Sequence, residues 1–169
     1  MKKFLLTIAM VAFGFAANAQ DGQFNAGVNL GLPVGDASDI SSFAVGAEVN
    51  YLFSVSDDFQ VGPSVGFVNY FGKDTEVTAG GVTVTISASD AQFLPIAAAG
   101  RFAISDEFTL GADLGYAVGI NTGNDGGFYY RPMVGYNVAD NIMIQATYSG
   151  VSVTGGSVAN IGLGVMFGL

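Results

Sequence analysis

From Phe24 to Leu169 apolar residues recur at every second position, and the positions between them hold Gly, Ser, Asn, Gln and a few charges. A period of two marks strands with one apolar face. The pattern predicts about eight strands, over 24–32, 43–53, 59–67, 94–104, 108–120, 130–138, 142–149 and 159–169, each of roughly the 9–11 residues that a tilted membrane-spanning strand needs. The clearest sets Phe108, Leu110, Ala112, Leu114, Tyr116, Val118 and Ile120 against Thr109, Gly111, Asp113, Gly115, Ala117 and Gly119. No segment outside the N-terminus is a continuous apolar run of helical length. A membrane protein of this pattern must therefore cross by strands closed into a barrel, which leaves no backbone polar group unpaired in lipid.

The connections supply an orientation. Ser56-Asp57-Asp58-Phe59, Ser105-Asp106-Glu107-Phe108 and Ala139-Asp140-Asn141-Ile142 are three versions of one short acidic turn. Longer connections alternate with them, around 34–42, 72–92, 121–127 and 151–156. Short turns at one end and long loops at the other are the habit of outer-membrane barrels, in which the short turns are periplasmic.

Which phase faces outward separates a membrane barrel from a soluble one. A lipocalin-like carrier would turn the apolar phase inward and present charge to water. Here the polar phase is Gly- and Ser-rich with few charges, a poor soluble surface. Aromatics of the apolar phase gather near strand ends, as with Phe43, Tyr51, Phe53, Phe59, Phe108, Phe128, Tyr130, Tyr136 and Phe167, in the manner of interfacial girdles. The expected fold is all-β: an antiparallel up-and-down transmembrane β-barrel of about eight strands.

The N-terminus sets the compartment. Lys2 and Lys3, the apolar run from Phe4 to Ala16 and the Ala17-Asn18-Ala19 site read as a secretory signal peptide over 1–19, too short to span about 30 Å of hydrocarbon. The barrel domain is then 20–169. Without the two leader lysines the chain keeps three basic residues against fourteen acidic ones, a formal net charge of −11. Nucleic acid is excluded as a partner, because phosphate binding needs a basic patch.

These residues resemble small outer-membrane β-barrels of the OmpA/OmpX-like type, the porin-family or outer-membrane β-barrel domain of Bacteroidetes-like, Gram-negative bacteria. The likeness rests on the leader ending at Ala19-Gln20, the strand opening Phe93-Leu94-Pro95-Ile96 and closing on Arg101-Phe102, the repeat Asp106-Glu107-Phe108-Thr109-Leu110-Gly111, and the final strand. It implies a place in the cell outer membrane, with membrane lipids, periplasmic chaperones and the barrel-assembly machinery as partners. Family members commonly end in an aromatic residue read by that machinery. Here the corresponding C-terminal signal is Leu163, Val165, Phe167 and Leu169, with Leu169 a departure at the last position.

No His and no Cys occur anywhere in the 169 residues. That excludes a Ser-His-Asp triad, a thiol nucleophile and an ordinary zinc site. No enzyme, metal site or cofactor is expected. The notable constellation is four charges in the polar phase of four strands, Glu48, Arg101, Asp113 and Arg131. They read either as a gate, in which salt-bridge partners switch to open a narrow water path, or as a self-neutralising set that holds a filled lumen. An eight-stranded barrel is just wide enough to be filled by side chains.

The alternation resumes in the second long connection, with Thr75, Val77, Val82, Val84 and Ile86 flanking Ala79-Gly80-Gly81. This predicts an extracellular hairpin, either an edge for a surface partner or a protective loop with β propensity. The acids Asp36, Asp39, Asp74, Glu76, Asp90 and Asp125 lack an ordered calcium-ligand spacing and read as a solvated anionic surface. The expected role is therefore structural or surface-interactive, with a mostly filled polar lumen. The alternatives are a narrow porin-like channel for ions or small solutes and, last, a soluble carrier.

Overall fold

A computed structural model describes residues 22–79 and 82–169. Eight strands close into an antiparallel barrel: β1 (Gly22–Val34), β2 (Ser41–Ser54), β3 (Phe59–Gly72), β6 (Ala91–Ala103), β7 (Phe108–Gly119), β8 (Gly127–Ala139), β9 (Ile142–Val153) and β10 (Gly156–Gly168). Two further strands, β4 (Asp74–Ala79) and β5 (Val82–Ser87), form a separate two-stranded sheet between β3 and β6. Strands that follow one another around the barrel are neighbours, so the topology is up-and-down, and β1 closes against β10 through a register running from Asn25↔Gly168 to Val34↔Ala159. The predicted leader lies outside the described residues.

All eight predicted strands are present with the predicted phase, but several are longer at the long-connection end. β3 runs to Gly72 instead of Phe67, β8 begins at Gly127, and β9 continues to Val153. The expected long connection over 151–156 is a two-residue turn, Thr154-Gly155, in which Gly155 takes a φ of 89°. Only glycine adopts that conformation without steric cost. The first long connection holds a single helical turn, α1 (Asp36–Ile40), which buries Ala37.

At the other end the Ser-Asp turns are one device built twice. Phe59 N donates to Ser56 Oγ at 3.2 Å and Phe108 N to Ser105 Oγ at 3.1 Å, while Val55 N and Ile104 N each close a 2.8 Å bond to the following Phe carbonyl. A serine hydroxyl capping its own turn explains the repeated sequence.

The apolar phase faces out. Leu30 and Leu163, directly paired, are 67% and 66% exposed, and Val28, Leu32, Ile96, Leu114 and Ile161 are exposed around them. Aromatic pairs border this belt at both ends. Tyr51–Phe53 and Phe108–Tyr136, 4.8 and 5.0 Å between centroids, stand at the short-turn end, and Phe43–Phe71, stacked at 4.3 Å, at the other. An apolar belt between aromatic girdles is a surface for hydrocarbon. Leu163→Arg, in mid-belt, is expected to cost about 2–4 kcal/mol of folding into a bilayer, against about 0–1 for Ser152→Arg near the rim. Equilibrium urea unfolding in lipid vesicles measures the difference.

Candidate functional site: the barrel lumen

The inward phase is rich in glycine and alanine, which leaves room for a few large side chains in a narrow lumen. Where two strands pair, that economy is visible locally. Arg101 on β6 lies over Gly111 on β7, its register partner, and a Cβ at Gly111 would sit 2.6 Å from Arg101 Cδ and 2.7 Å from Met133 Sδ. The missing side chain is what lets the arginine cross to the next position.

The four predicted charges come together there, all at 6% exposure or less. Asp113 holds both arginines. Its Oδ1 is 2.6 Å from Arg101 Nη1, and its Oδ2 accepts from Arg131 Nε at 3.0 Å and lies 2.8 Å from Arg131 Nη2. Asp113 and Arg131 are direct cross-strand partners, so the β7–β8 register itself creates the pair. The same Arg131 Nη2 forms an ion pair with Glu48 Oε2 on β2, four places away in the eight-strand ring and hence on the opposite wall.

Two polar residues complete this layer. Gln145 on β9, fully buried, donates from Nε2 to Glu48 Oε1 at 2.5 Å and to Asn29 Oδ1 at 3.0 Å, and Asn29 Nδ2 donates to Glu48 Oε1 at 3.2 Å. One neutral network thus ties together β1, β2, β6, β7, β8 and β9. The sequence placed Gln145 and Asn29 in the polar phase without marking them as members, because the partner across a lumen is set by closure and register.

Toward the long-connection end the lumen turns apolar. Ala44, Tyr70, Phe93, Ala117, Tyr129 and Val151 form one buried cluster, with Tyr70 and Phe93 edge to face at 6.0 Å. Tyr70 points inward without an orphaned hydroxyl, since Asn160 Nδ2 donates to it at 2.6 Å and also to Ser149 Oγ at 2.8 Å. Between this plug and the charge layer is a cavity of about 50 Å³ bordered by Glu48, Arg131, Tyr70 and Tyr129. Below the charge layer, a vestibule of about 250 Å³ lies at the short-turn end.

The other predicted site residues lie elsewhere. Leu163, Val165 and Phe167 share the outer face of β10, and Leu169, one residue past its end, donates from its N to Phe24 O at 2.9 Å. The second long connection is a hairpin, with Thr75 opposite Ile86, Val77 opposite Val84 and Ala79 opposite Val82. At its base Asp90 accepts from Gly72 N at 2.9 Å and Asn69 Nδ2 at 3.2 Å, bonds that hold its carboxyl below the usual carboxylate range. Among the described residues no group of three or more acidic, His or Cys side chains is placed to hold a metal.

A closed barrel with a lipid-facing belt and a self-neutralising polar lumen is an integral membrane barrel. The family model described as outer membrane protein beta-barrel domain matches residues 5–168, and the chain belongs to that family, which places it in the outer membrane. No curated protein matches the sequence.

Among solved structures it is similar to Ail, the attachment invasion locus protein of Yersinia pestis. In a phospholipid nanodisc Ail is 15% identical with a TM-score of 0.57, over 88% of this chain and 100% of that one. In the crystal the values are 16% and 0.56, over 88% and 97%. A de novo designed transmembrane β-barrel is 13% identical with a TM-score of 0.56, over 89% and 98%. At these identities the likeness is one of fold.

Asp113→Asn leaves the buried Arg101 without a carboxylate partner and Arg131 with Glu48 alone, and is expected to destabilise the barrel by about 3–5 kcal/mol, read from urea unfolding in vesicles. At the loop end, the depressed Asp90 carboxyl gives a second expectation. Its stabilising effect is complete above the ordinary value of 3.8 and is lost as pH falls through the lowered one, so the protection factor of the Gly72 amide should drop on acidification.

Proposed function

We propose that this protein is a non-catalytic outer-membrane barrel with a filled lumen, whose role lies in membrane structure and in contacts made by its long-connection end. The observation that carries this reading is the double closure of the lumen by the charge layer and the apolar plug. A solute path would have to break ion pairs that span the barrel and then displace Tyr70, Phe93 and Tyr129. The porin-like alternative is disfavoured by the plug more than by the charges. The soluble-carrier reading is disfavoured by the exposed apolar belt.

In this reading residues 1–19 are a cleaved leader, the short turns face the periplasm, and the β4–β5 hairpin stands on the cell surface. Leu163, Val165, Phe167 and Leu169 act as the assembly signal on the lipid face. Ail has been crystallised with the heparin analogue sucrose octasulfate. A polysulfated partner does not suit this chain, because its long connections carry Asp36, Asp39, Asp74, Glu76, Asp90 and Asp125 with Lys73 as the one cation outside the lumen among the described residues. The surface favours a neutral or basic partner, with the Thr-bearing edges of the hairpin available for strand pairing.

Conductance in planar bilayers tests the filled lumen. The refolded barrel, confirmed by heat-modifiable gel mobility, is expected to be silent, whereas Phe93→Ala with Tyr129→Ala should produce ion steps by emptying the plug. Steady steps in the unmodified protein that shift with Glu48→Gln would establish the channel instead.

A further inference from the structure

A ladder bond needs an N–H, and proline has none. All four prolines of the chain lie in barrel strands, and three of them, Pro63 on β3, Pro95 on β6 and Pro132 on β8, coincide with breaks in the register. Between β2 and β3 pairing stops at Asn50↔Ser64 and resumes at Phe53↔Val61. Between β3 and β6 it stops at Val65↔Ile96 and resumes at Val68↔Phe93, and between β8 and β9 at Tyr130↔Gly150 and Met133↔Thr147. The fourth, Pro33, lies past the last β1–β2 pair, Gly31↔Ala44, and the five remaining seams have no interior break. The carbonyls facing the three prolines, those of Tyr51, Gly66 and Tyr148, therefore have no ladder donor in a wall where lipid offers no substitute. The Tyr51 carbonyl lies against Gly62 Cα instead, a place that a side chain at that position would fill.

Two of the three breaks flank one strand. β3 is interrupted toward β2 at Gly62-Pro63 and toward β6 at Gly66-Phe67, whereas β2, β6, β8 and β9 each keep one seam without an interior break. Native structures open locally where the fewest bonds must break, and in this barrel that place is β3. The interrupted stretch is also the wall of the inner cavity, which Ser64, Gly66, Phe67 and Pro95 border. Further along the same strand stands Tyr70 of the plug, held by Phe93 across the β3–β6 seam and by Asn160.

We propose that β3 is the movable strand of the wall, which parts from β2 and β6 while the rest of the barrel stays closed and draws Tyr70 out of the plug. The open form is a minor state, so the resting lumen remains filled. This device goes beyond the role proposed above and does not depend on it.

Amide hydrogen exchange of the ¹⁵N-labelled barrel in lipid nanodiscs tests it. Val65 and Val68 are the probes on β3, because each has a register partner on both sides and a missing ladder bond does not account for its exchange; Val28 and Leu30 on β1 are the reference. The β3 pair is expected to exchange at least about tenfold faster than the reference. Pro63→Ala with Pro95→Ala returns two donors that the open form does not use, and should slow Val65 and Val68 about tenfold. Pro132→Ala, on the far seam, strengthens the closed and open forms alike and should leave them unchanged. Tyr70→Phe removes a bond that opening breaks, and should speed them several-fold. Heat-modifiable gel mobility confirms that each variant is a folded barrel.

Exchange of Val65 and Val68 no faster than that of Val28 and Leu30, or equal slowing by Pro132→Ala, would show that β3 opens only with the whole barrel and would overturn the proposal. Exchange unaffected by Tyr70→Phe would overturn the link to the plug. The readout is independent of conductance, so a silent barrel and an immobile β3 are separately observable.

Discussion

Arg131 is attached to one wall of the barrel and ion-paired with Glu48 on the opposite wall, and the rest of the interior is arranged around that span. Charges removed from water must be matched locally, and inside a barrel closed by backbone hydrogen bonds the matches have to come from other strands. Asp113 answers Arg131 from the neighbouring strand and carries Arg101 as well, while Asn29, from the strand beside Glu48, and Gln145, from β9, both donate to Glu48. Buried ion pairs of this kind need not add stability over apolar packing. What they enforce is register. A one-residue slip between β7 and β8 would turn one member of the Asp113–Arg131 pair toward lipid, where an arginine costs about 2–4 kcal/mol at the midplane.

That constraint divides the lumen into unequal parts. Above the charge layer the space narrows to a small cavity and then to tyrosine and phenylalanine packed ring against ring, while below it the wall opens into a polar vestibule. The asymmetry has a simple physical source. Glycine and alanine in the inward phase set how much room each level has, and large side chains on a few strands decide which levels are filled. The outer surface obeys a separate rule, an apolar belt between aromatic girdles, and alternation lets the two rules operate on the same strand without interfering.

The same alternation decides what could be read from the sequence. β7 was legible residue by residue because its two phases differ throughout, and the four lumen charges were assignable to the inside because each falls in the polar phase. Their pairing was not legible, since Glu48 and Arg131 meet only when the barrel closes. Strand ends failed where both phases become apolar. Phe93-Leu94, Tyr129-Tyr130 and Phe67-Val68 carry no period-two contrast, so the plug residues and the extra turns of β3, β8 and β9 were hidden. The 151–156 segment looked like a long loop because Thr154-Gly155-Gly156 is turn-rich, yet Gly156 already pairs with Val153.

The opposite walls are coupled through Glu48 and Arg131, and a double-mutant cycle measures that coupling directly. Glu48→Gln, Arg131→Gln and the combined variant would be compared by reversible unfolding in lipid vesicles. The structure predicts a coupling above about 1 kcal/mol, as for residues in contact, whereas effects that add within about 0.3–0.5 kcal/mol would show that the two walls act independently and that the charge layer does not hold the lumen closed.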